Sequence, residues 1–184
     1  MIIDINQKKI SIGDKYKIFL NEKETYYAAT QLFKLLSEIN LFEINSTSPR
    51  ITLKKCWSWL DTKYDIYRNE QKYEFRTVSF WKNHHKCHVG NDVYEIYGHR
   101  GRKYSIFKNN IQVAWWDKNL VTWFNGDNYQ MNADNDCDGE LIIAFCLIID
   151  NKSESKNDNN TLNIDFGNIG WEAKKFDTNW TPKN

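Results

Sequence analysis

Asp134, Asp136 and Asp138 alternate in the run DNDCDGE, and they are the first residues whose spacing points to chemistry. Carboxylates at alternate positions followed by a glycine match the opening of a calcium loop, because a hard cation takes several oxygen ligands around a sharp turn. The twelfth position of such a loop requires a bidentate Glu, and here it is Phe145. A regular EF-hand is therefore excluded. The same acids suit a helix start, where they satisfy orphan N–H groups and the helix dipole. Capping is the expected role, with a weak Ca2+ site as the alternative.

The run WKNHHKCH brings together His84, His85, Cys87 and His88. On a strand, His84 and His88 share one face and His85 and Cys87 the other. His84 and His88 are then roughly 13 Å apart, too far for one zinc ion. A partly exposed strand is expected there. His99, Arg100, Gly101, Arg102 and Lys103 form a basic turn. With Lys54 and Lys55, and with Lys82 and Lys86, this turn is a candidate patch for phosphate head groups. A solvated hairpin tip is the ordinary reading of the same residues. Trp115 and Trp116 are adjacent, so on a strand they point to opposite faces. With Trp123 and Phe124 they would meet a membrane, a partner or a covering C-terminal segment; cover by the chain itself is expected. No G-x-S-x-G, phosphate-binding loop or G-x-G-x-x-G occurs, and no pair of carboxylates stands apart as catalytic. A protein that is not an enzyme is expected.

Composition narrows the classes further. The 184 residues fit one domain, and 25 Lys and Arg against 24 Asp and Glu leave a net charge of +1. A general nucleic-acid binder is usually clearly basic, so that class is excluded. Aromatics are 15% of the chain, which supplies a core and rules out global disorder. The first residues, MIIDINQKKISIG, lack the apolar stretch of a secretory signal. The longest apolar run, LIIAFCLII at 141–149, is far short of the roughly 20 residues a membrane-spanning helix needs. Four scattered cysteines without C-x-x-C spacing read as free thiols. A cytoplasmic protein, with a peripheral place at the membrane as the variant of that reading, is the expectation.

The elements that must position these residues are mostly strands. Aromatic and β-branched residues alternate with polar ones between Asn, Asp and Gly breaks. Three segments share the pattern K-Y-x-I-aromatic-x-N: KYKIFLN from Lys15, KYDIYRN from Lys63 and KYSIFKN from Lys103. In each the Tyr and the Ile stand two apart and share a face, and the Asn signals a turn. A second strand follows each time, so the chain reads as an up-and-down meander able to close into a barrel. Residues 141–149 read as a helix, with Asp138 as N-cap, Glu140 in the first turn and polar residues from Asp150 onward ending it. A helix apolar on every side is buried on every side, which a barrel with this helix along its axis satisfies. A fully buried strand is the alternative. Residues 151–160 read as a polar linker. Residues 161–184 read as a tail, partly docked in preference to a free partner-binding segment, because exposed Trp is a liability.

Hairpins bearing Y-x-I motifs, an acidic loop and one apolar helix ending in Asp resemble the tubby-like superfamily. The stretch YEIYGHRGRKYSIFKNNIQVAWWDKN and the stretch DNYQMNADNDCDGELIIAFCLIID carry this resemblance, as does GDKYKIFLNEKETYY. The LURP-one-related branch, with its small bacterial proteins and its kinship to phospholipid scramblases, is the most similar, over residues 1–150. The resemblance implies a mainly β fold: a closed antiparallel barrel of about twelve strands around one central C-terminal helix near 139–150. It implies no cofactor beyond the calcium candidate at Asp134, Asp136 and Asp138, and a non-enzymatic module for phospholipid head groups or a membrane surface. Arg100, Arg102, Lys103, Lys54 and Lys55 are then the candidate contacts. The alternative function is a protein-interaction module, a homodimer, adaptor or immunity-type partner, acting through the Trp-rich surface and the tail.

Overall fold

The computed structural model describes residues 1–8, 15–31, 36–58, 62–121, 128–154 and 171–183. Among the described residues twelve strands precede one helix. They are β1 (Ile2–Lys8), β2 (Lys15–Leu20), β3 (Lys23–Gln31), β4 (Glu38–Glu43), β5 (Ile51–Lys55) and β6 (Lys63–Arg68). Then come β7 (Gln71–Ser79), β8 (His84–Val89), β9 (Asp92–His99), β10 (Lys103–Lys108), β11 (Ile111–Val121) and β12 (Asn128–Ala133). Each strand pairs antiparallel with its sequence neighbours, and β1 pairs with β12 from Ile2↔Asn132 to Asn6↔Asn128, so the sheet closes into a barrel. Closure removes the unpaired edges that an open meander would expose.

The repeated motif explains the hairpins. The closing Asn of each repeat and the residue after it both adopt positive φ: Asn21 and Glu22 (46° and 69°), Asn69 and Glu70 (49° and 62°), Asn109 and Asn110 (49° and 68°). Two consecutive left-handed residues make the turn whose twist matches the flanking strands, and Asn tolerates that conformation best after Gly. The Asn side chain does more at two of these turns. The Asn21 Oδ1 accepts the Ile2 N–H at 2.8 Å, and the Asn109 Oδ1 accepts the Val93 N–H at 2.9 Å. Each turn is thereby tied to the strand beside its hairpin.

The Tyr and Ile of each repeat point inward. Tyr16, Ile18, Tyr64, Ile66 and Ile106 are fully or almost fully buried. They surround α1 (Gly139–Glu154), whose residues 141–149 are all at most 2% exposed. Phe145 packs between Phe75 and Tyr94, with ring centres 5.9 and 5.5 Å away. The helix starts as expected: Asp138 Oδ1 accepts the Leu141 N–H at 3.2 Å, and its carbonyl accepts the Ile142 N–H.

The expected helix end at Asp150 is a turn too early, since α1 continues to Glu154. Polar residues do not break it because the barrel holds them. Asp150 accepts the hydroxyls of Tyr16 (3.1 Å) and Tyr129, and Asn151 Oδ1 accepts those of Tyr64 (2.7 Å) and Ser37 (2.8 Å). Burial pushes the Tyr64 hydroxyl up to about 12, so it stays a donor.

Alternate strand ends give the barrel two unlike rims. One rim carries the tight turns at 21–22, 69–70, 90–91 and 109–110, the 44–50 connection and the entry to α1. The other, the connection rim, carries the ends of β1, β3, β5, β7, β9 and β11.

Candidate functional site

Four large aromatic side chains stand out in solvent among the described residues: Trp57 (70% exposed), Phe80 (42%), Trp81 (82%) and Trp171 (86%). All four belong to the connection rim. Trp57 follows β5, Phe80 and Trp81 lie between β7 and β8, and Trp171 precedes Glu172, whose Oε1 accepts the Arg100 N–H after β9 at 2.8 Å. Turn tips are normally polar, so this placement demands a reason.

The turn bearing Phe80 and Trp81 is fixed from within. Asn83 sits in the left-handed region at φ 46°. Its carbonyl accepts the Gly98 N–H at 2.9 Å, its Nδ2 donates to the Tyr104 hydroxyl at 3.1 Å, and its Oδ1 lies 3.0 Å from His85 Nε2. Gly98 makes room for it, because a Cβ there would stand 2.3 Å from Asn83 Nδ2. Two aromatics are thus held outward by a polar anchor that reaches into the barrel mouth.

The candidate cations lie on the same rim in two groups. Arg100, Arg102 and Lys103 come together at the β9–β10 turn, where Gly101 and Arg102 have φ of 74° and 63°. Lys103 reaches Asp117 at 3.8 Å. Lys54 and Lys55 sit at the end of β5, four strands around the barrel, about 19 Å of arc away. Lys54 lies 4.9 Å from the Tyr67 ring centre and 4.0 Å from Glu38. Lys82, in the Trp81 turn, stands on the arc between the two groups.

The three aspartates lie on the opposite rim and are engaged unequally. Asp138 caps α1 and pairs with Arg68, which also reaches Glu140 at 3.0 Å; Arg50 meets Glu140 at 2.9 Å. Burial works against the Arg68 charge, but these carboxylates outweigh it and hold its pKa above the ordinary value. Asp134 Oδ1 accepts the Lys183 N–H at 2.6 Å, while Asp136 is exposed. Among the described residues no three His, Cys, Asp or Glu are grouped so as to hold a metal ion. The histidines follow strand alternation. His84 stacks on Tyr97 and lies 3.1 Å from Glu95 outside, while His85 packs on Phe75 inside. Burial lifts the Cys87 thiol to about 12 and the Cys137 thiol to about 11, which leaves neither as a thiolate at neutral pH.

Residues 171–183 form a strap down the outer face of β9 to β11. Lys174 stands 3.5 Å from the centre of the Phe107 ring and 5.4 Å from that of Tyr97. Phe176 meets His99 and Trp115 edge-on at 5.1 and 5.4 Å, and Trp180 donates its indole N–H to the Gln112 carbonyl at 3.2 Å. Asn135 N–H to the Lys183 carbonyl, at 3.1 Å, closes the far end. Trp115 therefore faces the strap while Trp116 stacks on Tyr104 inside. Trp123, Phe124, Phe166 and most of the 151–160 linker lie outside the described residues.

A model of the LURP-one-related family matches residues 1–150. The chain belongs to the LURP-one-related family. No curated protein and no solved structure matches this chain. The closed barrel and its axial helix coincide with the family match, and the strap lies beyond it. Among the described residues, no helix of this LURP-one-related barrel is long and apolar enough to cross a membrane.

The rim aromatics were not legible as a site from the sequence. Trp81 stands in the sequence only as the neighbour of a histidine cluster, Trp57 and Phe80 carry no signal of their own, and Trp171 belongs to the tail expected to dock, yet is 86% exposed. The usable signal was an aromatic pair inside a turn sequence, SFWKN, where polar residues are the rule.

Proposed function

We propose that this protein is a non-enzymatic module that binds anionic phospholipid membranes through its connection rim. One observation carries the reading: Trp57, Phe80, Trp81 and Trp171 are exposed on the same rim as Lys54, Lys55, Lys82 and Arg100, while Asp134, Asp136 and Asp138 lie on the other. Tryptophan is favoured at the membrane–water interface, and basic residues beside it add attraction to anionic head groups. Rim polarity supplies this without a high net charge, because a surface charge acts within about a Debye length, roughly 8 Å in physiological salt. In this reading Asp138 serves as cap and ion-pair partner and Asp134 as strap anchor, while Asp136 is exposed.

Co-sedimentation with vesicles tests the reading. Vesicles of phosphatidylcholine alone should retain little protein, and vesicles containing phosphatidylserine or phosphoinositide should retain more. High salt should reverse the gain, and calcium or chelator should change nothing. Absence of binding to every vesicle would transfer the rim to a protein partner.

A further inference from the structure

The strap begins at an unusual contact. His99, the last residue of β9, is 1% exposed on the outer face, with its Nε2 2.7 Å from Ser105 Oγ. Its Nδ1 faces the strap, 4.0 Å from Glu172 Oε1. That same oxygen accepts the Arg100 N–H at 2.8 Å. Arg102 and Lys103 follow within the turn, so a single carboxylate occupies the point where a backbone donor and an imidazole meet beside a basic turn, while Lys103 Nζ itself reaches Asp117 at 3.8 Å.

A carboxylate and a phosphate oxygen take the same donors, and successive backbone N–H groups in a turn with left-handed residues form anion-binding concavities. The rest of the strap is held elsewhere, by Lys174, Phe176 and Trp180. Glu172 is therefore a tethered occupant, present at high effective concentration whether or not its own contact is strong.

We infer that the β9–β10 turn is a binding site for a phosphate group and that Glu172 occupies it in competition with that ligand. The strap then restrains the rim that faces the membrane. This restraint rests on the membrane reading, whereas the phosphate site itself does not.

The test compares the full chain with Glu172→Gln, which keeps the shape of the side chain and removes its charge. In one arm, inorganic phosphate is titrated while backbone amide resonances are followed. In the other, vesicles containing phosphoinositide are set beside phosphatidylcholine vesicles. Glu172→Gln should shift the Arg100 and Gly101 amides at a phosphate concentration roughly tenfold below that for the parent, a factor typical of losing a tethered competitor. It should gain about as much affinity for phosphoinositide vesicles and none for phosphatidylcholine. A gain with inorganic phosphate only assigns the site to a soluble phosphate. A gain in both arms assigns it to a head group. Equal behaviour of the two proteins in both arms overturns the inference, and if the parent still binds anionic vesicles the membrane reading survives it. Trp180→Ala guards against a trivial release of the strap: it frees the far end, exposes apolar surface and retains Glu172. If it raises binding to phosphatidylcholine and phosphoinositide vesicles alike, and Glu172→Gln does the same, competition at the turn is refuted.

Discussion

The two rims of the barrel are built from the same strands and solve opposite problems. At the tight-turn rim, charged groups find partners within the protein: Arg68 with Asp138 and Glu140, Arg50 with Glu140, Lys108 with Asp92 at 2.9 Å. Three of its turns, at 21–22, 69–70 and 109–110, are the two-residue kind that the strand twist favours. At the connection rim, aromatic rings stand in water, held outward by anchors such as Asn83. Among the described residues the first rim exposes Ile2 and Ile111 but no large aromatic ring, and the second carries all four exposed rings. Local turn chemistry thus separates a rim closed by ion pairs from a rim that bears exposed rings.

The largest effect breaks both rims at once. Ala144 lies wholly inside the barrel. Ala144→Asp would bury a charge among apolar residues at a cost of several kcal/mol, against a total stability of about 5–15 kcal/mol. Circular dichroism should show no cooperative unfolding; a melt like the parent's would remove the helix from the barrel interior. The milder Phe145→Ala should cost about 3–5 kcal/mol by leaving a cavity between Phe75 and Tyr94.

Next in size is the double variant Trp57→Ala with Trp81→Ala. Affinity for anionic vesicles should fall by about tenfold or more, since each ring contributes over 1 kcal/mol at an interface. Its melting temperature should match the parent's, because exposed side chains contribute within about 0.5 kcal/mol. Asp138→Ala should do the reverse. It removes a cap worth about 0.5–2 kcal/mol and leaves Arg68 short of a partner, so stability falls while vesicle binding holds. Asp136→Ala is the matched control, with neither property changed.

Acidification gives the smallest effect. Burial, partly opposed by Glu95 for His84 and by Glu172 for His99, holds both imidazoles below their ordinary pKa. In the unfolded chain they take up protons first, so their contribution is complete above about pH 6.5 and is lost as the pH falls toward the folded values. Asp65 and Asp92, whose pKa values are also lowered, lose their contribution only below about pH 4. The melting temperature should therefore decline in two stages between pH 7 and 3. His99→Gln should reduce the first stage, and a first stage unchanged in that variant would contradict its assignment.

Strands, hairpins and axial helix were legible because each rests on a local pattern. Tyr16 and Ile18 alternate with polar neighbours, Asn21 supplies the turn, and residues 141–149 lack any polar face. Closure into a barrel followed from the all-apolar helix, which needs a sheet around it, and from the family resemblance; no local pattern pairs β1 with β12, more than a hundred positions apart. The helix end was misplaced because Asp150 and Asn151 look like a polar boundary until Tyr16, Tyr64 and Tyr129 are brought to them by the barrel. Burial on both faces of β9 and β10 hid the strap in plain view. Tyr97, His99, Ser105 and Phe107 lie on the outer side yet are covered, and an outer strand face with two aromatics and a histidine is the trace that something covers it. The rim site was illegible for a related reason. Trp57, Phe80, Trp81 and Trp171 are spread over more than a hundred residues of sequence and share a rim only because alternate strand ends lie together and the strap begins there.

Amide hydrogen exchange with and without phosphoinositide vesicles sets the two rims against each other in one sample. The membrane account predicts added protection at 56–58, 79–83 and 99–103, and none at 21–22, 69–70 and 109–110. Protection at the tight turns, or vesicle binding with no protection at the connection rim, would contradict it.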